Sequence, residues 1–509
     1  MDSNGSSAMN MHERVLPTEG FDYRRVFPWV HVFRSIRLAL RIRQLFLAAL
    51  GLLLATGGMR LIDSLAGESA PADSALATDG QPLWPWEMDL GFRFTSDTPG
   101  RTASDSPADL VQSFYDGLSA PIPFLRDLLS NWQVVLIPVR DVLGAVEVLF
   151  RPESDLHDVA IALSRTAWWL LVWSVFGGAI ARSAAVEFAR DQSTHFWGAL
   201  KFSFARALSY FASPMLPLGG IAFLGGLCAL GGLTGRIGGG VGPGLLGLIW
   251  GPLLILALLL AIVVMGLACG WPLMVATISV EGTDGFDGMS RAYNYVYERP
   301  RYYIVQIALT MLNGSFGAFC VLFMAQLTLR LALCGVAWGG GLPAIRDAIV
   351  EAPPILAVPK IDWGFDGDSP VNGQPVEGNL EGDSDIDPRA DLTPIVEAAQ
   401  GGDGEPGRSP TPVSWSSRFT RFWMCLLATL VVGFVYSFFW SSATVIYFLL
   451  RRSVDGNDFD EVYLGAHSEP DELLPLVGAS AMGIDLATIG SPSSGGELPP
   501  DNPPYPKPS

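Results

Sequence analysis

The densest run of chemically capable side chains is Val280-Glu281-Gly282-Thr283-Asp284-Gly285-Phe286-Asp287-Gly288-Met289-Ser290-Arg291-Ala292-Tyr293. Three carboxylates beside an arginine have the means for general acid–base work or for holding a cation. A calcium loop would need the order D-x-[DN]-x-[DN]-G closed by a glutamate, and that order is absent. Thr283 or Asp284 is placed instead to cap a helix, with acids in its first turn favoured by the helix dipole. A second charged turn carries Arg182, Glu187 and Arg190, with Glu187 and Arg190 one helical turn apart and able to pair. Arg182, Glu187, Arg190, Glu281, Asp284 and Arg291 together form the candidate inner-mouth surface, suited to a lipid headgroup or a partner protein.

No catalytic, cofactor-binding or metal residues are assigned. The five histidines (His12, His31, His157, His195 and His467) never approach metal-ligand spacing. The five cysteines (Cys228, Cys269, Cys320, Cys334 and Cys425) lie in or beside apolar stretches without C-x-x-C spacing, as small buried residues do. Neither H-E-x-x-H nor G-x-S-x-G occurs. The glycine-rich stretch 219–251 has no Lys followed by Ser or Thr, so it is no phosphate loop. Its Gly247-x-x-x-Gly251 spacing predicts close helix packing, and the glycines from 238 to 244 a loose turn. Pro214, Pro217 and Pro252 suggest the sharper alternative of a broken helix pair or gate.

The elements that position these residues follow from hydropathy. Half of the 509 residues are hydrophobic and only 16% are charged, with a mean hydropathy of +0.34. Apolar runs of about 20 residues match a hydrocarbon layer of roughly 30 Å. They predict an all-α, polytopic transmembrane bundle of about six spans: 45–62, 159–181, 207–234, 245–272, 302–329 and 419–450. The first run starts too far into the chain for a signal peptide and is expected to be an uncleaved anchor. The net charge of −18 is concentrated in two loops and the tail.

Orientation follows from the basic residues. Arg24, Arg25, Arg34, Arg37, Arg41 and Arg43 precede span one in the arm 1–44; Arg182, Arg190, Lys201 and Arg206 fill the loop 182–206; Arg451 and Arg452 follow span six. These segments are expected to be cytoplasmic, with both termini inside the cell membrane. The loop 63–158 has 16 acids against 5 bases and the loop 339–418 has 14 against 5, so both are expected outside. The first has helical spacing at Leu110, Phe114 and Leu118, then at Phe124, Leu128 and Trp132, as a small cap against the bilayer would. Residues 351–417 and 453–509, rich in Pro, Gly and Asp, are expected to be disordered.

Each odd-numbered span is preceded by an amphipathic, aromatic and basic segment expected to lie in the interface and attract anionic lipid headgroups. The apolar sets are Trp29, Phe33, Ile36 and Leu40; Trp197, Leu200, Phe204, Leu208 and Phe211; and, within 281–301, Phe286, Met289, Tyr293 and Val296. No Asp or Glu lies within the six predicted spans, which disfavours an ion path. Arg165 and Arg330 stand near enough to span ends to snorkel. Gln306, Asn313 and Gln326 are expected to form interhelical hydrogen bonds.

The segment from Trp271-Pro272 through Val280-Glu281-Gly282 to Arg291 resembles uncharacterised multi-spanning bacterial membrane proteins. It is similar there to the membrane domain attached to some glycerophosphodiester phosphodiesterases, whose catalytic domain is absent from this chain. The stretch Gly177-Gly178-Ala179-Ile180-Ala181-Arg182-Ser183-Ala184-Ala185-Val186-Glu187 resembles a recurring sequence in bacterial proteins of unknown function. The resemblance spans roughly 159–305 and implies topology without activity. The expected function is a non-enzymatic scaffold or accessory component, with a membrane-protein partner and no nucleic acid. The alternatives are a transporter or channel component using the Gly/Pro-broken pair of spans three and four, or a membrane-embedded enzyme acting on lipid.

Overall fold

The computed structural model describes residues 28–66, 77–78, 81–82, 84–88, 90, 92, 111, 115, 119, 121–140, 156–238, 241–341, 349, 352–356 and 415–463. The segments expected to be disordered, most of 351–417 and of 453–509, lie outside the described residues, as do Leu110, Phe114 and Leu118. In chain order the helices are α1 (Arg34–Ala39), α2 (Ile42–Ala66), α3 (Pro121–Ser130), α4 (Leu156–Arg190), α5 (Phe196–Ala205), α6 (Ala207–Leu233), α7 (Val241–Glu281), α8 (Gly285–Glu298), α9 (Pro300–Trp338) and α10 (Trp415–Val454). A two-residue antiparallel ladder pairs Ala77 with Pro82 and Thr78 with Gln81. Six helices, α2, α4, α6, α7, α9 and α10, are long and apolar enough to cross a membrane. The chain is an all-α polytopic bundle.

All six expected spans are present, but five extend past their predicted ends. At 41 residues, α7 is roughly 60 Å long, about twice the hydrocarbon thickness. It continues through Pro272, and Leu273 to Val280 are buried against the other helices. An apolar run therefore marks only the lipid-facing part of such a helix. Nor do the prolines break the third and fourth spans: α6 runs through Pro214 and Pro217, and α7 through Pro252. The broken pair that motivated a gate is two continuous helices. Each proline removes a single N–H, and in spanning helices the freed carbonyl is re-satisfied by neighbouring helices, hydroxyl side chains or a local adjustment of the turn.

The core is organised around α10, which packs against α2, α4, α7 and α9. Two thirds (67%) of its most apolar window is buried, against 11% for α6 and 17% for α7. At its centre Trp173 stacks on Tyr436 at 4.7 Å, and Trp271 meets Trp440 edge-on at 5.0 Å and Trp169 at 5.4 Å. Small residues on α4 permit this approach. A Cβ on Gly177 would stand 2.6 Å from the Trp440 ring, and Ala179, Ala181, Ala184 and Ala185 are buried. The alanine-rich Gly177–Glu187 stretch is thus a packing face.

The hairpin of α6 and α7 is the opposite case. It is pinned by Gly231 against Leu253, yet a Cβ on Gly219, Gly220, Gly226, Gly232, Gly244, Gly247 or Gly251 would meet nothing within 4 Å. Among the described residues the Gly247-x-x-x-Gly251 pair therefore packs against no helix. Leu248, Leu254, Ile255 and Leu258 around it are exposed.

The amphipathic segments form helices whose predicted apolar residues are in part left facing outward. Phe33 and Leu40, Trp197 and Phe204, and Phe286 are exposed. The buried faces combine small and larger residues: Ser35, Leu38 and Ala39 in α1, Ala199 and Ser203 in α5, and Gly285, Gly288, Ala292, Tyr295 and Val296 in α8, the last of them among the predicted apolar residues. Residues 121–136 pack on the bundle while Ile122, Leu125 and Trp132 stay exposed. Leu128, Val134 and Val135 are buried against α9 and α10, and the Leu128 carbonyl accepts a hydrogen bond from the Ser315 hydroxyl at 2.7 Å.

The glycine contrast yields a prediction. Gly177→Leu overpacks the aromatic core and lowers detergent-solubilised stability by about 1–3 kcal/mol or more, whereas Gly247→Leu leaves it unchanged or higher through better helix propensity. Thermal unfolding of the two purified variants checks this.

Candidate functional site: two arginine–carboxylate centres

Glu281 ends α7, and the turn after it fixes its position. Gly282 has φ +68° and its N–H bonds the Ile278 carbonyl at 2.9 Å, a left-handed stop that glycine adopts without strain. Asp284 then caps α8, its side chain accepting the Asp287 N–H at 2.9 Å. Of the two expected caps it is Asp284 that serves. A Cβ at Gly285 would stand 2.6 Å from the Ser209 carbonyl oxygen, so glycine there lets α8 press against α6. The Glu-Gly-Thr-Asp-Gly order is a stop, a cap and a close approach in sequence.

The Glu281 side chain is one-tenth (10%) exposed and lies among three donors or cations. It accepts the Tyr447 hydroxyl at 2.6 Å, pairs with the Arg291 guanidinium, and has Arg451 Nε at 3.3 Å. Arg291 also holds Asp287 at 3.2 Å, and Arg451 donates to the Glu461 carbonyl at 2.8 Å and carboxylate at 3.1 Å. Burial alone would lower the Arg291 pKa, but Glu281 and Asp287 outweigh it and raise it above its usual value. Beside this centre the Tyr295 hydroxyl donates to Asp455. Burial, reinforced by the Asp455 carboxylate, pushes that phenol well above its usual range.

The second centre is at the end of α4. Glu187, buried at 4% exposure, pairs with Arg41 at 2.5 Å, and Arg34 pairs with Asp191 at 2.6 Å. Arg43 donates to the Thr194 carbonyl at 2.7 Å. Three arginines thereby staple α1 and the start of α2 to α4 and the loop after it. The partner of Glu187 is Arg41 rather than the Arg190 one turn away, which is exposed at the helix end.

Arg182 stands between the centres. It donates to the Ser279 carbonyl at 2.9 Å and lies 4.3 Å over the Phe202 ring, while Tyr210 shares a 2.9 Å hydrogen bond with the Ser279 hydroxyl. Of the six predicted surface residues, Glu281 and Arg291 touch, Asp284 caps the helix carrying Arg291, and Arg182 reaches α7 two residues before Glu281. Glu187 belongs to the separate centre with Arg41.

A third pair lies toward the other end of the bundle. Asp63 is inside α2 and 4% exposed, and Arg165 meets it at 2.5 Å. Arg165 keeps 28% of its side chain exposed while its guanidinium neutralises the buried Asp63. The extension of α2 to Ala66 also places one acid inside a helix, where the predicted span 45–62 had none.

Sequence reasoning missed Tyr447, Glu461, Asp455 and the pairing role of Arg41 and Arg451. The arginines were visible only as basic flanks, and no spacing rule links Tyr447 to Glu281 across two helices. Among the described residues no group of three His, Cys, Asp or Glu is arranged to hold a metal ion, and the five cysteines are free and half-buried. No protein-family profile, curated protein or solved structure matches the chain.

The chemistry of Glu281 is thus charge neutralisation that joins α7, α8 and α10. Removing one member of a buried pair strands the others, so Glu281→Ala should destabilise the protein by about 3–5 kcal/mol, while Tyr447→Phe should cost about 1 kcal/mol. The Glu281→Ala/Arg451→Met double variant should lose less than the sum of the singles. Additive losses in a double-mutant cycle on thermal unfolding would refute the coupling.

Proposed function

We propose that the chain is a non-enzymatic scaffold or accessory component of the cell membrane, with both termini on the cytoplasmic side. One observation carries this reading: Asp63, Glu187 and Glu281 are each neutralised by an arginine from a different element. A general acid or base must be free to exchange a proton with substrate. These carboxylates are instead committed to holding helices together, and the aromatic core between them is densely filled. The exposed α6–α7 hairpin supports the same reading, since open glycine positions among leucines allow a helix of a membrane-protein partner to approach closely. The cytoplasmic assignment of the Glu187 and Glu281 centres rests on the arginines of 24–43, 182–206 and 451–452.

Photo-crosslinking from Leu248 and Leu258 in intact cells should give one reproducible adduct, a partner protein or a second copy, that Gly247→Leu weakens. The absence of any adduct, together with solute or ion flux in proteoliposomes, would overturn the scaffold reading in favour of transport. A reporter-fusion map at residues 110, 195, 290 and 380 should report outside, inside, inside and outside. Fusions at 195 or 290 reporting outside would invert the orientation.

A further inference from the structure

A groove of about 710 Å³ opens between α1, α3 and α9. That is within the roughly 300–1,000 Å³ range of small-molecule clefts. Its walls include Leu40, Leu128, Leu312 and Phe316, and its charged groups are Arg37 and Arg41. Leu40 and Phe316 are both 44% exposed, so the apolar wall is open along a membrane-spanning helix.

Charge distinguishes this groove from an ordinary lipid-facing surface. Arg34, Arg37 and Arg41 stand with two carboxylates, Asp191 and Glu187. Asp191 is taken by Arg34 and Glu187 by Arg41. Arg37 is exposed, and among the described residues it forms no ion pair. Arg37 acts on Glu187 only through its field, so of the three arginines it alone remains outside an ion pair, beside an apolar wall long enough to take hydrocarbon. A free inorganic anion would leave the apolar wall uncovered, a lipid without phosphate would leave Arg37 uncompensated, and a zwitterionic headgroup would bring its own cation beside Arg37.

We infer that the groove is a binding site for an anionic phospholipid, with an acyl chain against Leu40, Leu128, Leu312 and Phe316 and the headgroup phosphate on Arg37. Arg41 contributes field while keeping its bond to Glu187. Glu187 and Asp191 hold α1 in place, so the wall is preformed by the same pairs that anchor it. The inference is independent of the scaffold reading, which rests on the buried carboxylates.

The test is native mass spectrometry of the full chain purified in mild detergent, with extracted lipid identified by headgroup. Wild-type protein should retain an anionic phospholipid, and Arg37→Gln should cut its occupancy about fivefold, the effect expected for one cation near a membrane surface. Two groove-filling variants that leave charge unchanged, Leu312→Trp and the exposed-position Leu40→Trp, should each cut it as well. Arg452→Gln, which removes a charge elsewhere, should not. Retention of no anionic lipid by the wild type, or equal retention in a correctly folded Leu40→Trp, would overturn the site. Equal losses in Arg37→Gln and Arg452→Gln would reduce it to general surface attraction and overturn it too.

Discussion

Backbone that enters an apolar bundle without being part of a spanning helix must find its hydrogen-bond partners inside the protein, because no water is there to supply them. Three such segments dock on α9, and one polar side chain meets each. Asn313 donates to the Val32 carbonyl at 3.1 Å, Ser315 to the Leu128 carbonyl at 2.7 Å, and Gln326 to the Ile355 carbonyl at 3.4 Å. These three polar residues of α9 thus serve the backbone of non-spanning segments. Net gains of about 0.5–1.5 kcal/mol per bond are modest, but leaving a buried carbonyl unpaired costs more, so these contacts decide where the segments can sit.

Once α1 and residues 121–136 are held on α9, α10 is enclosed on most sides, which is why its burial exceeds that of every other spanning helix. Ser437 donates to the Ala39 carbonyl at 3.0 Å and Ser441 to Gln44 at 3.0 Å, so α10 also reads the bend between α1 and α2. The α6–α7 hairpin receives none of this enclosure along its outer halves. It joins the bundle where Arg182 bonds the Ser279 carbonyl and where Gly178 of α4 admits the Tyr210 ring. The molecule therefore combines an interlocked body with an unencumbered arm, a division that hydropathy alone does not carry.

Much of the architecture was legible. Span three was expected at 207–234 and α6 runs Ala207–Leu233, because an unbroken apolar run with charged flanks leaves few alternatives. The cap at Asp284 was also legible, since capping depends on neighbours in sequence. What could not be read was anything set by contact between distant elements. The α1 face that buries is Ser35, Leu38 and Ala39, two of them too small to register in an amphipathic pattern that weights Phe33 and Leu40. Gly247 and Gly251 have a packing spacing but no partner among the described residues, while Gly177, with a less suggestive neighbourhood, is the one filled by Trp440. Glu187 lies one turn from Arg190 and yet takes Arg41. Local spacing says which pairs are possible, and burial decides among them.

The choice of cation is consistent with this economy of contacts. Only Lys201, Lys360 and Lys507 are lysine among the 32 basic residues. A lysine ammonium is a strongly hydrated point charge, whereas a guanidinium is planar, weakly hydrated, charged at any physiological pH and able to bond in several directions at once. Each use here needs that geometry. Arg451 spans Glu281 and Glu461, Arg291 spans Glu281 and Asp287, and Arg182 bonds a carbonyl while its face lies over Phe202. A lysine at position 182 would keep the charge but lose the stacking. The centres are therefore built from cations whose charge does not change with pH, which suits a role in fixing helices more than one in passing protons between them.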